Sequence, residues 1–223
     1  MIAAAWETVA GATGVGPGIS LLDLGCGDGA FCAFASRRGA KVHGLDVAPD
    51  AIARALETVP GADLRLGLME NLPWEDASFD VVTAFNGLQY ALDIEMALNE
   101  AARVARPDGR IAICKWGRPD ENEFFAFLTS IGANGVRRDD LPVTDPVDDA
   151  IRASHLEVLA TDHLAAPIEM ADDACLSESL SRAGIDAAPT ATSVTAAAAP
   201  YRRADGTYRF ENRLRYWILR GRG

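Results

Sequence analysis

Leu21-Leu22-Asp23-Leu24-Gly25-Cys26-Gly27-Asp28-Gly29 sets alternate glycines directly behind a short apolar run. The run, Ile19–Leu24, is too brief for a helix and suits a strand buried on both faces. Ala30–Arg38 then resumes apolar residues at helical spacing, so the glycines occupy a strand-to-helix turn. Gly25 and Gly27, lacking a Cβ, would let the backbone approach a ligand, and Gly29 would ease close helix packing.

Outward from this turn the same rhythm repeats. Lys41–Asp46 is expected as a second strand, Ala48–Glu57 as a helix, Asp63–Leu66 as a third strand and Phe79–Asn86 as a fourth. Ile94–Ala105 carries Ala97, Leu98, Ala101, Val104 and Ala105 in the stripe of an amphipathic helix. Pro107-Asp108-Gly109 is expected to end that helix in a turn, before a fifth strand over Arg110–Trp116. Upstream, residues 1–18 suit a short helix and a glycine-rich approach. Strand–helix alternation of this kind demands a parallel sheet with helices on both faces, the α/β doubly wound, Rossmann-like class.

Beyond Trp116 the rhythm stops. Residues 117–187 suit a helical region covering the substrate, with many acids, among them Asp139, Asp140, Asp145, Asp148, Asp149, Asp172 and Asp173. Asp205-Gly206 between Ala191–Ala199 and Thr207–Leu219 predicts a hairpin of two extended runs, the second alternating with period two. The expected organisation is one domain over 1–223: a cofactor-binding half (1–116), the helical region (117–187) and a C-terminal β-hairpin (188–223).

The 223 residues suit a single core. Hydrophobic residues at 49% and charged ones at 24% exclude a disordered chain. No apolar run approaches the roughly 20 residues of a membrane span, and the N-terminus lacks the basic start of a signal peptide, so a cytoplasmic location is expected. The net charge of −11 argues against nucleic acid as a partner. Residues 201–223 nonetheless hold seven arginines (Arg202, Arg203, Arg209, Arg213, Arg215, Arg220 and Arg222), either a solvated face or a patch for an acidic partner. Cys26, Cys32, Cys114 and Cys175 form no CxxC pair and have no histidines at zinc spacing, so they suit reduced, structural thiols without a metal.

The glycine turn alone fits two ligand classes. Together with Ala30 it satisfies the dinucleotide fingerprint, and Asp46, seventeen residues past Gly29, could accept both hydroxyls of a ribose in either class. Asp23 sits two residues before the first glycine, where a carboxylate benefits a cationic ligand and not a pyrophosphate; its alternative role is to cap the turn or the helix.

Four stretches, LLDLGCGDGAF, VHGLDVAPDAI, GLMENLPWEDASFDVVTAFNGLQYALD and EAARVARPDGRIAI, resemble the successive motifs of class I S-adenosylmethionine-dependent methyltransferases. The likeness covers residues 19–116 and lies nearest the small-molecule group of ubiquinone/menaquinone-type enzymes (methyltransferase type 11). It implies a seven-stranded sheet, mostly parallel with an antiparallel C-terminal strand. It also implies S-adenosylmethionine as cofactor, S-adenosylhomocysteine as product and a small-molecule methyl acceptor.

By the same resemblance, Asp23, Gly25, Cys26 and Gly27 would cradle the methionine part of the cofactor, Asp46 would bind the ribose and Val47 would lie beside the adenine. Asn86 and Gly87 would lie near the transferred methyl, with Gln89 and Tyr90 on the substrate side and Trp116 walling the acceptor pocket. The family commonly places an aspartate after the glycine of GDAxxLP to accept the adenine amino group. This chain has Leu68 there, so backbone contacts from Met69, or the Glu70 carboxylate, are the alternatives. No general base stands out: His155, His163 and Tyr90 are the candidates, and His43 suits a structural role. A non-catalytic adenosyl-cofactor-binding or regulatory protein, or an NAD(P)-dependent oxidoreductase, are the competing functions.

Overall fold

The computed structural model describes residues 3–132, 144–182 and 191–221. Asp139, Asp140, Arg222 and the first residues of the expected hairpin segment, 188–190, lie outside them. The chain divides into two compact units: among the described residues, a larger one of 3–115, 144–164 and 215–221, and a smaller one of 116–132, 165–182 and 191–214.

The larger unit is built on β1 (Ser20–Leu24), flanked in parallel by β2 (Lys41–Asp46) and β4 (Phe79–Phe85). β3 (Asp63–Leu66) extends the sheet past β2, and β5 (Ala105–Trp116) extends it past β4. The full order is β3-β2-β1-β4-β5-β9-β6, with β6 spanning Leu156–Ala165 and β9 spanning Arg213–Gly221. Six strands are parallel and one antiparallel, as expected.

β1 is apolar without alternation because both of its faces are covered. Leu22 and Leu24 pack with Val82, Ala84 and the stripe Ala97, Leu98, Ala101 and Val104 of α4 (Ile94–Val104). Leu21 packs on the other side with Val81 and with Phe31, Cys32 and Ala35 of α2 (Ala30–Arg37). α1 (Ala3–Thr13) adds Ala10 to that second layer, and α3 (Pro49–Thr58) follows β2. Asp93 caps α4 by accepting the Met96 N–H at 2.9 Å.

Three expectations are corrected. The turn at Pro107-Asp108-Gly109 is an excursion inside β5: Ala105 pairs with Phe79, and pairing resumes at Arg110 with Val81. Residues 117–187 are not purely helical, for they hold β6 and β7 (Ile168–Met170) beside α5 (Glu123–Ser130), α6 (Pro146–Ala153) and α7 (Asp173–Arg182). β6 gives no strand signal because residues 158–163, at the edge of the sheet, are solvent-exposed and show no alternation of apolar and polar positions. The expected hairpin lacks its first arm, because Ala191–Ala198 forms helix α8. ATSVTAAA is alanine-rich, and alanine favours the helix over the extended chain.

In the smaller unit, β8 (Tyr208–Phe210) pairs antiparallel with β7, and Phe127, Leu176, Leu180, Val194 and Ala198 close a separate core around Tyr208 and Phe210. The basic C-terminal stretch is largely neutralised by neighbouring carboxylates. Arg202 meets Asp173, Arg203 and Arg209 meet Glu169, Arg215 meets Asp148 and Arg220 meets Glu157. This pairing favours the solvated face over the patch for an acidic partner. Among the described residues no helix is long and apolar enough to cross a membrane.

Two α4 positions test the layer. Leu98, 1% exposed, when cut to Ala should cost about 2–5 kcal/mol in denaturant unfolding. Met96→Ala on the 52% exposed side should cost under about 0.5 kcal/mol. Equal losses at the two positions would contradict the packing described.

Candidate functional site

The glycine turn is docked onto the carboxyl end of β2. Gly25 and Cys26 both donate their N–H to the Leu45 carbonyl, at 2.8 and 3.0 Å. Gly27 donates to Asp46 Oδ2 at 2.8 Å, and Ala48 donates to Asp46 Oδ1 at 2.9 Å. Both oxygens of Asp46 are thus oriented by backbone, and each keeps acceptor capacity. Gly27 has φ +56, and a Cβ built there would meet nothing within 4 Å, so the turn presents bare backbone to open space. On Gly25 a Cβ would lie 3.1 Å from the Gly87 Cα, so the ends of β1 and β4 touch as only glycines permit.

Two further walls complete a cleft of about 570 Å³. One is the loop after β3, held against α4 by Arg103. Its guanidinium donates to the Trp74 carbonyl at 2.9 Å, the Leu72 carbonyl at 3.1 Å and Glu100 at 2.7 Å, while Glu100 accepts the Leu72 N–H at 2.8 Å. Arg65 adds a second pin, donating to the Pro73 carbonyl at 2.7 Å and lying 4.6 Å over the Trp74 ring. The other wall follows β4. Asn86, at φ 52, donates its N–H to Cys114 at 2.7 Å, and a 3₁₀ turn over Leu88–Tyr90 leads toward α4. Glu70 Oε1 joins the walls by accepting the N–H groups of Leu92 and Asp93.

Of the residues singled out in the sequence, Gly25, Gly27, Asp46, Val47, Leu68, Met69, Glu70, Asn86, Gly87 and Tyr90 line this cleft together. Leu45, Gly67, Ala91 and Leu92 line it too; they lie within the quoted motif stretches, beside residues given a role, and that adjacency is the signal that could have found them. Others lie elsewhere. Cys26 is buried, its Sγ 3.0 Å from a Cβ built on Gly44. Gln89 is half-buried, with Oε1 enclosed and without a hydrogen-bond partner. Trp116, half-buried, belongs to the smaller unit. His155 is exposed and faces Glu95 and Asn99 in a separate hollow of about 140 Å³. His163 is exposed on β6. Neither histidine stands in the cleft, because helical cover was expected where an edge strand and the end of α6 occur. His43 is buried, its Nδ1 3.3 Å from the Leu21 carbonyl, and burial lowers its pKa, in keeping with a structural role.

Asp23 is the main surprise. At 2% exposed it lies beneath the turn and not in the cleft; it accepts the Thr83 hydroxyl at 2.7 Å and the Cys32 thiol at 3.7 Å. Burial raises its pKa to about 7, against the lowering effect of those two donors. Because the folded pKa stands above the unfolded one, the stabilisation is full below about pH 4 and is lost as pH rises through about 7. Between these limits the wild type should lose stability relative to Asp23→Asn in denaturant melts; parallel pH profiles for the two proteins would contradict the assignment.

Chemically, the cleft offers a fixed carboxylate for vicinal hydroxyls, bare backbone at Gly25 and Gly27, and an apolar wall of Val47, Leu68 and Met69. That set suits a nucleoside carrying a polar tail. Comparison with known proteins points the same way. Residues 22–113 match the family profile described as "Methyltransferase domain". The chain is 36% identical over 116 residues to demethylmenaquinone methyltransferase of Mycolicibacterium paratuberculosis, covering 52% of this chain and 49% of that protein. It is also 36% identical over 117 residues to ubiquinone biosynthesis O-methyltransferase of Hahella chejuensis, covering 50% and 49%. The chain spans half or less of the length of the curated relatives it matches. A putative methyltransferase from Bacillus halodurans superposes with TM-score 0.70 over 98% of this chain and 99% of that one; at 15% identity this establishes the fold alone. Over residues 22–113 the chain is thus similar to a methyltransferase domain, which supports a class I S-adenosylmethionine-dependent enzyme.

Proposed function

We propose that this protein transfers the methyl group of S-adenosylmethionine to a small-molecule acceptor. The observation that carries the reading is the gathering of ten motif residues around one cleft, with Asp46 held by the turn it serves. The names of the two relatives, a demethylmenaquinone methyltransferase and an O-methyltransferase of ubiquinone biosynthesis, support a small acceptor. So does an apolar rim at the mouth, where Tyr90 is 79% and Leu92 83% exposed.

When bound, the cofactor supplies an activated methyl on a sulfonium, so the protein's task is alignment. Asp46 would accept the ribose hydroxyls. Gly25, Gly27 and Gly87 would let the backbone approach the amino-acid tail, and Asn86 would border the reacting end. Tyr90 and Leu92 stand at the rim, where the Tyr90 hydroxyl is available to hydrogen-bond the acceptor. Holding two reactants in line supplies roughly 7–11 kcal/mol of barrier reduction.

Calorimetry should detect S-adenosylhomocysteine binding and no comparable binding of NADH. Asp46→Ala should weaken the former by about 1–3 kcal/mol, from lost charge-assisted bonds to ribose. Unchanged affinity in a folded variant would remove Asp46 from the role. Labelled-methyl transfer over a panel of small acceptors should yield at least one product. Cofactor binding with no transfer to any acceptor would favour the non-catalytic reading instead.

A further inference from the structure

We infer that Leu68 makes this cleft grip the purine of its nucleoside ligand by the ring faces alone, so that the 6-amino group of the base adds little to binding. The inference rests on the cofactor reading above and concerns which features of that ligand this chain recognises.

The geometry divides the cleft. β2 and β3 end side by side, with Asp46 paired to Leu66 and the Gly67 N–H donated to the Asp46 carbonyl at 3.0 Å. The residues that emerge from those two ends are Val47, 66% exposed, and Leu68, 44% exposed, with Met69 behind. The opposite side, after β1 and β4, presents glycine backbone and Asn86. With its ribose on Asp46, a nucleoside directs its flat base toward the apolar side, and its charged tail toward the polar one.

On the apolar side several acceptors already serve the fold. The Leu45 carbonyl takes two N–H groups, from Gly25 and Cys26; the Asp46 carbonyl takes Gly67; the Leu68 carbonyl takes Asn71 at 3.2 Å. The Asp46 carboxylate is held by Gly27 and Ala48 and faces the sugar. Glu70, the other carboxylate of the cleft, gives its Oε1 to the Leu92 and Asp93 amides on the far wall. An exocyclic amine over Leu68 has a hydrocarbon side chain as its neighbour, and stacking and shape hold the ring.

The test compares S-adenosylhomocysteine with its 6-deamino analogue, which has purine in place of adenine and keeps the N1 acceptor. By calorimetry the wild type should bind the two within about threefold, because no charged hydrogen bond is lost. In Leu68→Asp, a carboxylate beside the amine should open a gap of at least about tenfold in favour of the adenine form. Leu68→Asn, which adds an uncharged acceptor, should give a smaller gap and guards against a folding defect in the aspartate variant. A tenfold or larger preference for the amine in the wild type overturns the inference, and if that preference disappears in Glu70→Gln, Glu70 is the reader. Failure of S-adenosylhomocysteine to bind at all overturns the underlying cofactor assignment as well, so the two failures are told apart.

Discussion

Four backbone N–H groups converge on two consecutive residues at the end of β2. The Leu45 carbonyl receives Gly25 and Cys26, and the Asp46 carboxylate receives Gly27 and Ala48. Hydrogen bonds to a charged acceptor contribute about 1.5–3 kcal/mol, so Asp46 fixes the turn more firmly than neutral partners would. The same carboxylate borders the cleft. Its position is set before any ligand arrives, which reduces the ordering that binding must pay in conformational freedom.

This junction sits where the strand order reverses. From β1 the sheet runs one way through β2 to β3 and the other way through β4 to β5, and open α/β sheets bind ligands at such a switch point. Here the reversal is visible as a contact between Gly25 and Gly87, with no side chain between the loops. The loop after β3 is then fastened by Arg103 and Arg65, and Glu70 ties it to the segment entering α4. The cleft is a meeting of three tethered loops over a sheet buried on both faces.

Much of this was legible in the sequence, and the limits are physical. β1 to β5 and α2 to α4 announce themselves because a sheet covered on both sides requires apolar strands, and the covering helices require apolar stripes. β6 gives no signal because an exposed edge strand needs no alternation of apolar and polar residues. Ala191–Ala198 was misjudged because small residues fit strand and helix alike until packing decides. Most of the expected cleft residues were found through motif order and spacing. Asp23 was assigned to the ligand because its sequence position is near the glycines, whereas only the fold reveals that it points down to Thr83 and Cys32. His155 and His163 are expected near the acceptor because they fall in a segment that suits a helical cover, whereas they stand just past α6 and on the exposed strand β6.

The excursion in β5 separates the two edges of the sheet. Between Ala105 and Arg110 the chain leaves the ladder for four residues and rejoins it with the register shifted by three, with Gly109 folded so tightly that a Cβ would sit 2.9 Å from the Arg106 carbonyl. Length is absorbed at this amino edge without displacing Ile113 or Cys114, which continue the ladder toward the opposite, ligand-bearing edge. Evolution, or an engineer grafting a loop, has slack at residues 106–109, while a single inserted residue between Leu24 and Gly29 would dislocate the apparatus at the other end.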